Sequence, residues 1–261
     1  MRFGVMGTTT HVVVVGGDED GLYAQARARL QELDRKWSRY SSRSEVAQLN
    51  RRSGRLTMVS IETYALVERA IDAWWRTAGR FDPTTPRSSD DCHDVRLWPL
   101  VDGVTVPTGV ELDLSGVARA YAADIVATEL VANGANGACV NVGGDLRCAG
   151  SPPSEEGWML GVRSPRDHAA PDAVRHEVAR VLLHDGAIAT DRFTGRDHVA
   201  PWSAATVVAA EAWQASVVVR ALAQTNVEDA ETLLEAWSAT ALLFTPEGEL
   251  VSLSGLEAVS A

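Results

Sequence analysis

The sequence has few cysteines, no long apolar run and no excess of basic residues, and each absence argues against a class of protein. The three cysteines, Cys92, Cys139 and Cys148, form no C-x-x-C pair, which is typical of reduced thiols in a cytoplasmic protein. No apolar stretch approaches the length of a membrane span, and the residues after Met1 do not resemble a signal peptide. A net charge of −11 leaves no basic face dense enough for nucleic acid to be the main partner.

What is present is the composition of an ordinary globular protein, 46% hydrophobic and 23% charged over 261 residues. This length fits one large domain or two closely associated lobes. The chain has no internal repeat, low-complexity tract or convincing linker, so we predict a single domain spanning residues 1–261. It also lacks a Walker-type loop and the G-x-S-x-G turn of hydrolases.

Apolar periodicity predicts helices and strands that are grouped in blocks rather than alternated. Ser60 is predicted to cap a helix that ends at Gly79, its C′ position, and Asp185-Gly186 and Glu247-Gly248 predict hairpin turns. Such blocks favour an α+β fold over a doubly wound sheet. The predicted helices are 23–37, 44–49, 60–77, 115–131, 212–223 and 227–237. The predicted strands are 11–15, 138–142, 146–149, 158–163, 177–183, 187–189, 204–209, 241–244 and 249–253.

The segment from Asp113 to Asp124 and the turn from Asn141 to Asp145 carry the strongest chemical signal. An aspartate and a small-residue turn open a helix that places Arg119 in its first turns, and Asn-Val-Gly-Gly-Asp follows soon after that helix. Free backbone N–H groups at a helix start, a cation and close-approach glycines suit an anionic ligand such as a pyrophosphate. These residues therefore predict a ligand that bears phosphate.

Three further segments complete an ordered set of motifs. Taken singly, Met6 and Trp37 fit core positions and Asp82-Pro83 fits a turn. In order along the chain stand Met-Gly-Thr, Ser-Glu-x-x-x-Leu-Asn, Gly-x-Phe-Asp-Pro-Thr, Asp-Leu-x-Gly-x-Ala-(basic)-x-Tyr-Ala-x-Asp and Asn-x-Gly-Gly-Asp. With these five motifs the chain resembles the FAD:protein FMN transferase (ApbE-like) family over nearly its whole length.

The resemblance implies an ApbE-like, T-fold-like arrangement of antiparallel sheets packed with helices. It also implies an enzyme that binds FAD and Mg²⁺, cleaves the pyrophosphate and transfers FMN to a threonine or serine hydroxyl of a target flavoprotein. Phosphoryl transfer requires the protein mainly to orient groups and neutralise charge. Carried over by position, the residues lining the FAD site would be Met6, Trp37, Arg80, Phe81, Asp82, Asp113 and Arg119.

Within that set, the resemblance assigns roles to individual residues. Asp113 would hold the flavin end, and Arg119 stands where the family usually has a lysine facing the phosphates. An arginine is still cationic, and its planar fork can hold phosphate oxygens. We predict Asp113, Arg119 and Arg220 as the catalytic residues.

The predicted metal site departs from the family pattern. The resemblance places the carbonyl oxygen of Gly116 on Mg²⁺, together with an aspartate and a threonine four residues apart on a late helix. In this register those two positions hold Ser216 and Arg220. Serine is a weak neutral ligand and arginine repels a cation, so a family-like Mg²⁺ site at Gly116 and Ser216 is not expected. Arg220 would either clamp phosphate oxygens in place of the metal or lie on the solvent side of its helix.

A second departure lies near Ala189-Thr190. The family has a hairpin here, with a histidine before an Ile-Asp-Pro-x-Thr-Gly turn. This chain runs straight into residues 191–196, which resemble the turn alone, so the hairpin and its histidine are predicted to be deleted, and His198 is not assigned the missing role. Two hypotheses follow. The chain is a flavin transferase with FAD and a target flavoprotein as partners, or it is a degenerate or repurposed ApbE-fold protein that binds a flavin or other nucleotide without Mg²⁺-dependent turnover.

Overall fold

The structure is a computed structural model that describes residues 1–85, 87–163, 177–193, 201–255 and 259–260. Its helices are α1 (Glu19–Trp37), α2 (Glu45–Arg51), α3 (Ile61–Arg76), α4 (Ser115–Ala132), α5 (Ala212–Leu222) and α6 (Val227–Ala236). Its strands are β1 (Arg2–Val5), β2 (Thr8–Val15), β3 (Thr57–Met58), β4 (Arg96–Trp98), β5 (Gly103–Thr105), β6 (Gly137–Val142), β7 (Asp145–Gly150), β8 (Trp158–Arg163), β9 (Glu177–Leu183), β10 (Gly186–Arg192), β11 (Ala204–Ala209), β12 (Thr240–Phe244), β13 (Leu250–Leu253) and β14 (Val259–Ser260).

The strands form one large sheet and two small ones. The large sheet has the order β1-β2-β6-β7-β10-β11-β12-β13, and the small sheets have the orders β14-β9-β8 and β3-β5-β4. Every strand pair in these sheets is antiparallel. This confirms the predicted α+β fold of antiparallel sheets packed with helices. Strand β1, the β3-β5-β4 sheet and β14 have no counterpart among the predicted strands.

The two predicted hairpin turns have different outcomes. Glu247-Gly248 joins β12 to β13, which pair as predicted. The hairpin predicted at Asp185-Gly186 is wrong, because β9 pairs with β8 and β14 while β10 pairs with β7 and β11. This turn carries the chain from the small sheet to the large one. Turn residues specify a change of direction, but not which strands pair afterwards.

Helix α3 begins and ends differently from the prediction. Ser60 is its N-cap residue, but its hydroxyl accepts no backbone N–H; it donates to the carboxylate of Glu45 at 2.8 Å. Gly79 is at C″ rather than C′, because Ala78 already takes the left-handed conformation with φ 51°. The N–H of Gly79 then donates to the carbonyl oxygen of Trp74 at 2.9 Å, which closes a Schellman motif.

Hydrophobic cores lie on both faces of the large sheet. The main core contains buried residues of α1, α3, α4 and α5 packed against one face, and a second core lies between the other face and the β14-β9-β8 sheet. Within the described residues, no helix combines the length and apolar character that a bilayer crossing needs. The single domain over residues 1–261 stays a prediction.

Helices α4 and α5 lie side by side in opposite directions, and this pairing positions the candidate site. The carboxylate of Asp124, in the middle of α4, accepts the backbone N–H groups of Ala212 and Trp213 at the start of α5. Near the start of α4, Ser216 of α5 contacts the carbonyl oxygen of Gly116. The first turn of α4 therefore meets the middle of α5.

Candidate active site

Two adjoining cavities open at the start of α4, and Ser115 lines both. The first, here the Met6 cavity, has a volume of about 480 Å³ and is lined by Met6, Trp37 and Arg119 among others. The second, here the Arg220 cavity, has a volume of about 280 Å³. It is lined by the remaining predicted FAD-site residues, by the predicted metal-site residue Gly116 and by the predicted catalytic residue Arg220: Arg80, Phe81, Asp82, Asp113, which is also predicted as catalytic, Gly116 and Arg220.

The turn before α4 is held by Asp113. One carboxylate oxygen accepts the N–H of Ser115 at 3.0 Å, the other pairs with the guanidinium of Arg39, and the Asp113 N–H donates to the carbonyl oxygen of Pro83 at 2.7 Å. One of the helix-start amides predicted to be free is therefore used by the protein itself. The next amide, that of Gly116, has no acceptor among the described residues.

Ser216 is fully buried between the two helices and the β6–β7 turn. Its hydroxyl lies 3.1 Å from the carbonyl oxygen of Gly116 and 2.9 Å from the carboxylate of Asp145, and it shares its hydrogen between these acceptors. The same hydroxyl accepts a hydrogen bond from Nη1 of Arg220, which also donates to the carbonyl oxygen of Ser216 at 2.7 Å. The serine thus fixes the arginine one helical turn further on.

Asp145 is a buried carboxylate with two arginines beside it. The turn that carries it needs Gly143 and Gly144 at φ 68° and 105°, conformations that favour glycine. Nε of Arg119 lies 3.6 Å from the Asp145 carboxylate, too far for a hydrogen bond but close enough for an ion pair. Burial raises the pKa of Asp145 above its usual value, and Arg220, Arg119 and the Ser216 hydroxyl act in the opposite direction.

The guanidinium of Arg220 lies in its cavity and not on a solvent-facing side of α5. Its Nε is 3.8 Å from the carboxylate of Asp191, and 24% of the side chain is exposed. A Cβ atom at Gly116 would lie 3.1 Å from the ring of Phe81 and 3.5 Å from Cδ and Nε of Arg220. Glycine at position 116 therefore allows the aromatic ring and the arginine to approach the start of α4.

Met6 and Trp37 line their cavity with apolar surface. Met6 takes a left-handed conformation with φ 53°, and its N–H donates to the carboxylate of Asp34 at 3.1 Å. The indole N–H of buried Trp37 donates to the hydroxyl of Thr63 at 3.0 Å, so this polar group is already paired. Both residues also pack with the main core. Each therefore occupies the core position predicted from the sequence and also lines the cavity.

Arg80 and Asp82 are occupied by partners within the protein. Nη2 of Arg80 pairs with the carboxylate of Asp229 at 2.9 Å, and the carboxylate of Asp82 accepts the N–H of Thr84 at 2.9 Å. Phe81 between them is buried. The positive charge of Arg80 is thus compensated by a close ion pair, whereas Arg119 and Arg220 lie farther from their carboxylates, at 3.6 Å from Asp145 and 3.8 Å from Asp191.

Residues 6–192 of the chain match the profile of the ApbE family. The chain belongs to this family. It is 21% identical over 196 residues to the FAD:protein FMN transferase of Haemophilus influenzae, an alignment that covers 61% of this chain and only 57% of that protein.

Solved structures of ApbE proteins share the fold. The ApbE protein of Thermotoga maritima has a TM-score of 0.82 at 22% identity, covering 97% of this chain and 96% of that one. The flavin transferase ApbE of Vibrio cholerae has a TM-score of 0.79 at 20% identity, with the same two coverages. The apo flavinyl transferase ApbE of Pseudomonas stutzeri has a TM-score of 0.79 at 21% identity and covers 97% and 93%.

The residues of this ApbE-family chain do not fit the Mg²⁺ site that the resemblance implies. Mg²⁺ requires near-octahedral oxygen ligands, usually one or two carboxylates together with waters and substrate phosphates. Here the carbonyl oxygen of Gly116 faces the Ser216 hydroxyl, and the guanidinium of Arg220 lies against that same hydroxyl. In the described part of the chain, no three His, Cys, Asp or Glu side chains are grouped to hold a metal ion.

Three charged residues of the site, Asp145, Arg39 and Asp191, were not predicted as site residues. Asp145 ends the Asn-x-Gly-Gly-Asp motif, which assigns it no role, and Arg39 stands in none of the five motifs. Asp191 was predicted in a turn, which is wrong, because it pairs with Ala205 within the β10–β11 ladder. The rest of that predicted turn, 194–196, and His198 lie outside the described residues.

Proposed function

We propose that this chain is an FAD:protein FMN transferase, which binds FAD across the two cavities and transfers FMN to a threonine or serine hydroxyl of a target flavoprotein. The position of the cavities carries this proposal. They meet at Ser115, with the Gly116 amide, Arg119 and Arg220 beside the junction. A dinucleotide needs two compartments joined at a site for its pyrophosphate, and a helix start with nearby cations suits that anion.

In this proposal each predicted residue has a task. Asp113 holds the flavin end, and Met6, Trp37, Arg80, Phe81 and Asp82 line the site. The acceptor hydroxyl oxygen forms a bond to the FMN phosphorus, and the bond from that phosphorus to the bridging oxygen breaks. AMP leaves with the electron pair, and the hydroxyl proton passes to solvent. Arg119 and Arg220 stabilise the charge on the phosphate oxygens during this step.

Incubation with FAD and a threonine-bearing peptide from a flavoprotein tests the proposal. We expect flavin fluorescence to become covalently attached to the peptide, with an equal amount of AMP released. A peptide with valine in place of the acceptor threonine is the matched control and should gain no flavin. Absence of both products, in Mg²⁺ and in EDTA, contradicts the proposal; FAD binding without products then indicates a repurposed nucleotide-binding protein. Cytoplasmic location stays a prediction from cysteine usage.

A further inference from the structure

Arg220 is held in one position by groups on three elements. Nη1 donates to the carbonyl oxygen and to the hydroxyl of Ser216, and Nε lies 3.8 Å from Asp191 of β10. The stem of the side chain passes next to Gly116 at the start of α4. Because these contacts already orient the guanidinium, the Arg220 side chain loses little further rotamer freedom when it binds a ligand.

The guanidinium also takes part in compensating buried Asp145. This carboxylate is only 6% exposed, and a buried charge is stable only with partners. Its partners here are the Ser216 hydroxyl at 2.9 Å and the nearby charges of Arg119 and Arg220. No ion is needed beside Asp145 to complete this set.

The charge carried by positions 216 and 220 likewise requires no ion. In the arrangement that the resemblance implies, an aspartate at position 216 and a bound Mg²⁺ together carry a net charge of +1. The neutral hydroxyl of Ser216 and the guanidinium of Arg220 also carry +1, without an ion. The two exchanges preserve the local charge that faces the start of α4.

We infer that the guanidinium of Arg220 takes the place of the divalent cation, so that the chain binds the FAD pyrophosphate without Mg²⁺. This inference rests on the proposed function for the ligand that it names. Arg220 presents N–H donors to phosphate oxygens, and such charge-assisted bonds do part of the work of a metal ion. A purely structural brace for α5 would not need to line a cavity beside the Gly116 amide.

Calorimetric titration with FAD, in EDTA and in Mg²⁺, tests the inference. For the unchanged chain we expect the same Kd in both conditions, and equal AMP release. Arg220→Thr should weaken FAD binding about ten- to hundredfold in EDTA, the loss typical of hydrogen bonds to a charged group. Arg180→Thr, on β9 and paired with Glu177, removes the same charge outside both cavities and should leave the Kd unchanged.

Two further variants keep the test decisive. Arg220→Lys retains the positive charge but lacks the planar guanidinium, so it should bind FAD with intermediate affinity. This variant supplies the measurement if Arg220→Thr fails to fold. Ser216→Asp combined with Arg220→Thr should make FAD binding depend on Mg²⁺, measured as a tighter Kd when the metal is added.

The inference is overturned if the unchanged chain binds FAD only with Mg²⁺, if neither single Arg220 variant changes the Kd, or if FAD does not bind in either condition. Failure of the transferase proposal has a different signature. FAD then binds equally in EDTA and Mg²⁺ and depends on Arg220, but neither AMP nor modified peptide forms. That result supports the cation role of Arg220 and removes the transfer step.

Discussion

The carboxylate of Asp124 accepts the N–H of Ala212 at 2.7 Å, so a residue of α4 caps the start of α5. A second bond from Trp213, at 3.0 Å, uses the other carboxylate oxygen. This junction fixes the position of α5 along α4, and with it the distance from Gly116 to Ser216 and Arg220. A residue outside both cavities therefore determines how the site is assembled.

Replacing Asp124 with alanine removes both acceptors and leaves Arg147, 3.6 Å away, without this partner. We expect the free energy of unfolding to fall by about 2–4 kcal/mol, since a helix cap and a buried carboxyl group that accepts two hydrogen bonds are lost together. Urea denaturation measures this change. Asp72→Ala, which removes an exposed partner of Arg76, is the control and should change stability by less than about 0.5 kcal/mol.

The titration of Asp124 gives a pH dependence with a definite sign. Burial raises its pKa from 3.8 to about 7, although the N–H groups of Ala212 and Trp213 oppose the shift. Between about pH 4 and 7 the folded state thus holds a proton that the unfolded state lacks, so this residue's contribution to stability decreases as pH rises. Asp124→Asn should abolish that decrease in urea melts across this range. Parallel curves for the two proteins would contradict the assignment.

The contribution of Glu62 to stability has the opposite pH dependence. Burial alone would raise its pKa, but hydrogen bonds from Arg29, from the backbone and from Lys36 lower it from 4.5 to about 2. Its contribution is therefore present above about pH 4.5 and is lost as pH falls toward 2. Glu62→Gln should unfold less steeply with acid than the unchanged chain, as followed by circular dichroism. An unchanged acid transition would count against this ion-pair cluster of α1 and α3.

Gly116→Ala should weaken FAD binding while changing the stability of the fold only slightly. Alanine favours a helix by about 1 kcal/mol over glycine, but its Cβ would lie 3.1 Å from the ring of Phe81. We expect the free energy of unfolding to change by less than about 1 kcal/mol, while FAD binding weakens several-fold because Phe81 and Arg220 are displaced. Calorimetry and urea melts measure the two quantities. Gly4→Ala, where the nearest atom to the added Cβ lies 3.9 Å away, is the control that should leave FAD binding unaffected.

The three cysteines should be unreactive in the folded protein. All three are buried and reduced. Burial raises the pKa of Cys92 to about 12, and the hydrogen bond with Cys139, together with burial, raises the pKa of Cys148 well above its ordinary value. Because the thiolate is the reactive form, we expect no reaction with a disulfide reagent in buffer and three equivalents in guanidinium chloride. Rapid labelling of the native protein would show that one of these segments opens.

The sequence predicted the elements well because their signals are local. Each long predicted helix and most predicted strands follow from apolar periodicity and from Gly or Pro at their ends, and they lie within a few residues of the observed bounds. Ser60 shows the limit of predictions from neighbouring residues. Its hydroxyl is predicted to cap α3, but it donates instead to the carboxylate of Glu45, fifteen residues earlier in the chain.

The charges of the candidate site were harder to predict for the same reason. Met6, Phe81 and Asp113 were found through motifs, and the structure brings them to adjoining cavities. Asp145 and Asp191 come close to Arg220 only because β7 and β10 are neighbours in the large sheet. Strand order over such separations is not encoded in the spacing of residues along the chain.

The position of Ser216 also restricts how this pair of residues can change during evolution. Ser216→Asp alone would place a second carboxylate beside Asp145 and would neutralise the positive charge of Arg220. Arg220→Thr alone would remove a positive charge without adding a carboxylate that could bind a cation. We therefore expect each single change to weaken phosphate binding relative to either two-residue arrangement, so the two positions should change together.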